Sequence, residues 1–137
     1  MLINSKKTKD MLLTFRKSPT TPDSLHLGNC ELDRVNVFKL LGVWFQDDLR
    51  WNQHIEEMTK KGNKRLFLLR ECRKANLPKD VGITRYNTKI RSLLEYVSPV
   101  WGGLPNYLAE EVQRVQDRCL SIIGVPRTPL PILHDLT

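Results

Sequence analysis

Short apolar runs separated by turn-forming residues characterise the first third of the chain, and this pattern predicts β-strands. Residues 25–27 alternate between apolar and polar side chains, and the Gly-Asn pair after them tolerates the positive φ angles of a hairpin turn. Residues 35–45 are rich in β-branched and aromatic side chains, and Gly42 among them indicates a bulge or a bend. Residues 11–15 form another apolar run, for which we predict a strand that ends in a proline-rich loop.

Apolar residues at spacings of three and four predict three helices in the rest of the chain. The first helix begins near residues 51–52 and ends before Pro78, the second ends before Pro99, and the third ends at Gly124. The positions expected to face the core are Ile55, Met58, Gly62, Leu66, Leu69, Ile83, Tyr86, Ile90, Leu93, Leu94, Val97, Leu108, Val112, Val115, Cys119 and Ile122.

These elements predict an α+β fold, in which a short N-terminal antiparallel β-hairpin or sheet is followed by a three-helix bundle. We assign residues 1–50 to the β segment, residues 51–124 to the helical domain and residues 125–137 to a proline-rich tail. A chain of 137 residues is long enough to fold without a disulfide or a metal.

Positive charge is concentrated in the middle of the chain. The whole sequence has 22 lysines and arginines against 15 acidic residues, a formal net charge of +7, which favours nucleic acid or another anionic partner. Between residues 60 and 74 only Glu71 opposes seven cations. We expect Lys60, Lys61, Lys64, Arg65 and Lys74 to contact a phosphate backbone. The alternative is a solvated surface helix whose charge has no specific partner.

Other functional classes find little support in the sequence. No apolar run approaches the roughly 20 residues of a membrane-spanning helix, and the N-terminus does not resemble a signal peptide. The three cysteines are widely spaced, which predicts buried, reduced thiols in an intracellular protein of the nucleus or cytoplasm. We expect no membrane partner and no small-molecule substrate, since no nucleotide-binding loop or hydrolase motif is present.

One segment, Phe45-Gln46-Asp47-Asp48, has the form of the aromatic-x-Asp-Asp box with which many polymerases hold Mg²⁺. Such a site needs a third carboxylate on a neighbouring strand, and no earlier strand offers an obvious one, because the only candidate, Asp33, sits in a polar turn. We therefore interpret Asp47 and Asp48 as caps of the first helix. The prediction is that this chain has no metal site, no catalytic residue and no cofactor.

Several segments together resemble reverse transcriptases of non-LTR (LINE-type, jockey-like) retrotransposons. Residues 4–11 resemble the family's N-x-x-K-T-K-x-M segment, and residues 37–43 resemble its F-K-Y-L-G-V hairpin, with Leu40 in place of the usual tyrosine. Residues 49–55 resemble L-x-W-x-x-H-I. Shorter matches follow in the family's order at residues 65–66, 90–96, 99–101 and 112–116, so that the resemblance covers roughly residues 1–124.

The resemblance implies the end of a polymerase palm followed by a thumb. Lys7 matches the lysine of polymerase motif D, which is proposed to protonate the leaving pyrophosphate. The segment that resembles the primer grip, motif E, consists of Phe38, Lys39, Leu40, Leu41, Gly42 and Val43. The helices that follow resemble the thumb, which holds the template–primer duplex, an RNA–DNA or DNA duplex. The basic stretch at residues 60–74 falls within this thumb-like domain.

The family's catalytic Asp box and its Mg²⁺ ligands lie before the N-x-x-K-T segment, and no matching residues precede Asn4. The expectation is a truncated remnant of an RNA-directed DNA polymerase that is non-catalytic alone and binds nucleic-acid backbones weakly. The alternative is a helical interaction module or an inert remnant. A weaker alternative is that residues 39–74 are similar to sequences classed with the N-terminal domain of an AlkB-like tRNA methyltransferase, although no S-adenosylmethionine loop or iron triad accompanies them.

The apolar side chains of residues 37–45 would pack on a palm sheet in the family. Without that sheet, we expect Leu41, Val43, Trp44 and Phe45 to lie on a partly exposed strand face.

The isolated chain is expected to show no polymerase activity, because two-metal phosphoryl transfer needs carboxylates that hold the ions. The measurement is primer extension on an RNA or DNA template with Mg²⁺ or Mn²⁺. Extension that is lost on Asp47→Ala and Asp48→Ala would contradict the prediction.

Overall fold

A computed structural model of the chain describes residues 2–18 and 20–126. It contains short strands followed by helices, so the predicted mixed α+β fold is confirmed. The chain divides between Gln53 and His54 into two compact units, which we call the β unit and the helical unit. Most of the predicted proline-rich tail, residues 127–137, lies outside the described residues, as does Pro19.

The β unit contains three two-stranded pairings and a short 3-10 turn at Ser5–Lys7. Strands β2 (His26–Leu27) and β3 (Cys30–Glu31) form the predicted antiparallel hairpin, with Gly28 at a φ of +64° in the turn. Strands β5 (Val37–Leu40) and β6 (Val43–Gln46) form a second antiparallel hairpin.

The third pairing departs from the prediction. Strands β1 (Lys9–Asp10) and β4 (Asp33–Arg34) pair in parallel, whereas an antiparallel sheet was expected. Opposite charges meet in this register: Lys9 Nζ lies 2.6 Å from Asp33 Oδ2, and Arg34 Nε donates to Asp10 Oδ2 at 2.7 Å. Residues 11–15, which were predicted to be a strand, have no regular structure, because pairing ends at Asp10.

The helical elements are α1 (Asn52–Lys64), α2 (Leu66–Lys74), α3 (Lys79–Arg85), a π-helical segment (Tyr86–Arg91), α4 (Ser92–Leu94), α5 (Ser98–Trp101) and α6 (Asn106–Ile123). The predicted first helix is therefore interrupted at Arg65, and the predicted second helix contains a π-helical stretch. Helix α6 matches the predicted third helix and ends at Gly124, whose φ of +85° favours glycine.

The core of the helical unit is built largely from the positions that the helical spacing predicted. The buried members are Ile55, Met58, Gly62, Leu66, Leu69, Tyr86, Ile90, Leu94, Leu108, Val112, Val115 and Cys119. The prediction is wrong for Ile83, which is 37% exposed, and Leu93, Val97 and Ile122 are half-buried. The π-helical segment shifts the phase of the second predicted helix, so a strict spacing of three and four does not hold there.

Gly62 of α1 faces buried side chains of α4 and α6. A Cβ atom at this position would lie 3.0 Å from Val115 Cγ1 and 3.6 Å from Leu94 Cδ2. Because both neighbours are buried, the missing side chain lets the helices pack tightly.

The cysteines agree only in part with the prediction of buried thiols. Cys72 and Cys119 are buried and free, and burial raises the pKa of the Cys119 thiol to about 12. Cys30 is exposed, because it lies in the short β2–β3 hairpin.

Tyr86 places a phenol in the core at the start of the π-helical segment. The residue is buried, and within the described part of the chain its hydroxyl has no hydrogen-bond partner. Burial raises the pKa of the phenol above its ordinary value. A buried donor without a partner costs free energy because the hydroxyl loses its hydrogen bonds to water.

Replacing this phenol is expected to stabilise the fold. Tyr86→Phe should raise the free energy of unfolding by about 1 kcal/mol, since it removes the desolvated hydroxyl and keeps the ring. Urea unfolding followed by circular dichroism measures the change, with Tyr107→Phe at an exposed site as the matched control. A loss of stability in Tyr86→Phe alone would show that the hydroxyl is satisfied.

Candidate nucleic-acid interface

The candidate site residues from the sequence fall into both units. Lys7 and the primer-grip-like segment belong to the β unit, whereas Lys60, Lys61, Lys64, Arg65 and Lys74 belong to the helical unit. Lys60, Lys61 and Lys64 are exposed in the last part of α1, and Lys74 is exposed at the end of α2.

Lys60 is compensated by acidic residues of its own helix. Its ammonium lies 2.7 Å from Glu56 Oε1 and 3.6 Å from Glu57 Oε1. The hydrogen bond to Glu56 raises the pKa of Lys60. Both carboxylates lie just before the basic stretch at residues 60–74. The charges counted within that stretch therefore overestimated the positive charge that Lys60 presents to a phosphate.

Arg65 has a structural contact that the sequence did not indicate. Its Nη1 donates to the main-chain carbonyl of Lys89, within the π-helical segment. Arg65 lies between the end of α1 and the start of α2. Its hydrogen bond to Lys89 therefore connects the break between these helices to the π-helical segment. Its guanidinium is therefore partly engaged by a hydrogen bond within the helical unit.

Three other arginines converge between α2 and α6. Arg70, Arg114 and Arg118 line an open groove of about 370 Å³ together with Leu66, Asp117, Ser121 and Ile122. Arg118 Nη1 donates to Asn63 Oδ1 at 3.1 Å, and Asp117 accepts a hydrogen bond from Gln113 at 3.0 Å. The groove thus presents three guanidinium groups and one carboxylate.

A second recess continues this positive surface along α2. Arg70, Arg73, Lys74 and Ile122 line it. Lys74 lies 3.1 Å from Glu71 Oε1, and Arg114 lies 3.8 Å from Glu110 Oε2; all four of these side chains are exposed, so solvent weakens both ion pairs. We call Arg70, Arg73, Lys74, Arg114 and Arg118 the α2–α6 basic surface.

The sequence reasoning missed the two arginines of α6. Residues 101–137 hold three basic and four acidic residues, so their net charge of −1 suggested no cationic site. The signal was nevertheless present as spacing, since Arg114, Arg118 and Ser121 at intervals of four and three share one side of a helix. Only the packing of α2 against α6 brings that side next to Arg70.

The primer-grip-like segment is the β5–β6 hairpin. Leu40 pairs with Val43, and Leu41 and Gly42 between them have φ angles of 49° and 84°, as in a type I′ turn. The predicted bend at Gly42 is thus a tight hairpin turn. Lys39 Nζ lies 5.6 Å from the centre of the Trp44 ring.

The exposure of this hairpin agrees only in part with the prediction. Leu41 is 83% exposed, and Phe38 and Leu40 are also exposed, whereas Trp44 and Phe45 are half-buried. Val43 is buried, so its expected exposure is wrong. Val43 opens β6, whose side chains are better covered than those of β5.

Lys7, the motif-D-like lysine, is exposed at the end of the 3-10 turn. The side chain of Asn4 caps this turn by accepting a hydrogen bond from the amide of Lys6 at 3.1 Å. The chain therefore presents the Lys7 ammonium to solvent.

Of the Asp47-Asp48 pair, Asp48 stabilises the turn before α1. Asp48 Oδ1 accepts from the amide of Arg50 at 2.9 Å, and the amide of Gln53 in the first turn of α1 donates to Gln46 Oε1 at 2.8 Å. The prediction that Asp48 caps α1 is therefore wrong, because its carboxylate accepts from the amide of Arg50, which precedes the helix. Among the residues that the structure describes, no three potential metal ligands cluster.

No protein-family model, curated protein or solved structure matches the chain. Within residues 2–18 and 20–126, none of the helices combines the length and apolar character that crossing a membrane requires.

The hairpin turn offers a test of its own geometry. Leucine at a φ of 49° is strained by about 1 kcal/mol, whereas asparagine tolerates this region. Leu41→Asn should therefore slow hydrogen exchange of the Val43 amide by about fivefold, as measured by NMR. Leu40→Asn, in the strand itself, is the control and should not slow exchange. Faster exchange in Leu41→Asn would contradict the assignment of a type I′ turn.

Proposed function

We propose that the helical unit binds the phosphate backbone of nucleic acid through the α2–α6 basic surface. The observation that carries this proposal is the convergence of Arg70, Arg114 and Arg118 on one open groove with a single carboxylate, Asp117, among them. A guanidinium is planar, permanently charged and able to donate two parallel hydrogen bonds to a phosphate. The neighbouring Arg73 and Lys74 extend the positive surface along α2.

Binding of this kind is electrostatic and does not depend on sequence. Each neutralised phosphate releases counterions, so the affinity falls steeply as salt concentration rises. We expect a dissociation constant on the order of 10⁻⁴–10⁻⁶ M at physiological salt, the range of non-specific DNA binding. The partner is an RNA–DNA or DNA duplex backbone, and the proposed compartment is intracellular.

The resemblance described above supports a more specific origin. We infer that the chain is a palm-end and thumb fragment of a non-LTR reverse transcriptase, with Lys7 in the motif-D-like position and residues 38–43 as the primer-grip-like hairpin. The one aromatic-x-Asp-Asp segment follows that hairpin instead of preceding it, and its Asp48 is engaged with Arg50. The chain alone is therefore proposed to be non-catalytic, with the Mg²⁺ of the family held elsewhere.

A second candidate function, a protein-interaction module, is favoured by a different surface. The β unit has an open apolar groove of about 240 Å³. Its apolar lining comprises Met11, Leu13, Val35, Phe38, Leu40, Phe45 and Leu49. An apolar surface of this kind suits a protein partner more than a phosphate backbone.

Charge-matched variants distinguish the two functions. Replacing Arg70, Arg114 and Arg118 by glutamine should weaken duplex binding for all sequences alike and reduce the slope of log affinity against log salt by roughly two to three units. The control replaces Lys60, Lys61 and Lys64 by glutamine; it removes the same charge, but one of its lysines is already paired with Glu56. Fluorescence anisotropy with a labelled duplex, between about 50 and 200 mM salt, measures both.

The arginine variant should lose more affinity than the lysine variant. Equal losses would mean that only net charge matters and that the α2–α6 basic surface is not the site. If neither variant binds more weakly than the parent, the interaction module is the better explanation. Circular dichroism checks that the helices persist in both variants, since glutamine has nearly the same helix propensity as arginine and lysine.

A further inference from the structure

Phe67 is an aromatic side chain exposed on α2 without a role in the core. It is 56% exposed, whereas the buried residues of the same helix are Leu66, Leu69 and Cys72. At 100° per residue, Phe67 points away from the centre of that buried face. The core packing of α2 therefore does not account for its ring.

Two cations and one carboxylate, Glu71, share the outer side of α2 with Phe67, and the carboxylate is paired with Lys74. Arg70 and Lys74 follow it at intervals of three and seven residues, which places them on the same side of α2. Lys64 stands three residues before it, at the end of α1. Arg70 also lines both recesses of the α2–α6 basic surface, so the ring lies beside the proposed phosphate contacts.

An exposed ring beside cations suits unpaired nucleotides better than a duplex. In a duplex the flat faces of the bases are stacked on one another, and only the phosphates and groove edges are available to such a surface. In a single strand each base can stack on an aromatic ring while its phosphates contact arginine or lysine.

We propose that Phe67 is a base-stacking residue, and that the α2–α6 basic surface together with Phe67 binds single-stranded nucleic acid in preference to duplex. This inference rests on the proposed backbone binding, and it replaces the duplex named there by a single strand as the preferred ligand. The charge is complementary to the phosphates, and the ring supplies the one contact that distinguishes unpaired from paired bases.

An anionic membrane would also attract cations, but α2 is poorly suited to it. A helix that lies in a membrane interface needs a broad apolar face on its outer side. On the outer side of α2, Phe67 is accompanied by Arg70, Glu71 and Lys74, so a single ring is available for insertion. The outer side of α2 therefore favours a nucleic-acid base, which can stack on a single ring, over a membrane surface.

The test compares three substitutions at position 67 in the full chain. Phe67→Ala removes the ring, Phe67→Leu keeps an apolar side chain without a π face, and Phe67→Trp enlarges the π face. Tyr107→Ala is the matched control, because Tyr107 is an exposed aromatic of α6 that lines neither recess of the α2–α6 basic surface. The probes are fluorescein-labelled oligothymidylate and a blunt DNA duplex, measured by anisotropy at low salt.

Phe67→Ala and Phe67→Leu should both lower the affinity for oligothymidylate by about tenfold and leave duplex affinity unchanged. Phe67→Trp should retain the affinity, and its added tryptophan fluorescence should be quenched by oligothymidylate and not by duplex. Tyr107→Ala should bind both probes as the parent does.

Three results would overturn the inference. If the parent binds both probes and no substitution at position 67 changes the affinity, Phe67 does not stack, although the proposed function stands. If the parent binds neither probe at low salt, the proposed function fails and this inference with it. If Phe67→Ala abolishes binding to phosphatidylserine vesicles but not to oligothymidylate, the ring serves a membrane surface.

Discussion

The packing of α6 against the earlier helices is the interaction on which the helical unit depends. Val112, Val115 and Cys119 of α6 are buried, and Gly62 brings α1 so close that a single methyl group there would press on Val115. Since α2 packs on the same helix, the outer side of α6 is held beside the outer side of α2. The apolar core thereby decides which charged residues become neighbours on the surface.

The resulting basic surface has an energetic cost that a ligand can offset. Arg70, Arg114 and Arg118 repel one another across one groove, and Asp117 compensates for only part of their charge. Because the groove is open to water, solvent screens this repulsion and the fold tolerates it. A bound phosphate would replace this repulsion by attraction, so binding energy is available at the groove.

The β unit depends on polar contacts much more than on a core. Among its described residues only Val43 is buried, and cross-strand ion pairs at Lys9 and Arg34 connect β1 to β4. Two-stranded pairings of this length are marginally stable in water by themselves. The open apolar groove beside the β5–β6 hairpin is a consequence, since this unit has too few elements to cover its own apolar residues.

The sequence by itself determined the local elements and most of the core of this protein. Spacing predicted α6 and its end at Gly124, as well as the buried positions Ile55, Ile90 and Val112, because helix periodicity and glycine conformation are local properties. Only the tertiary structure decided the break at Arg65, whose guanidinium binds a carbonyl 24 residues away. The same distinction applies to the residues of the candidate site. Lys74 was predicted from the local density of positive charge along the chain. Arg114 and Arg118 were not, because their meeting with Arg70 results from helix packing between residues far apart in the chain.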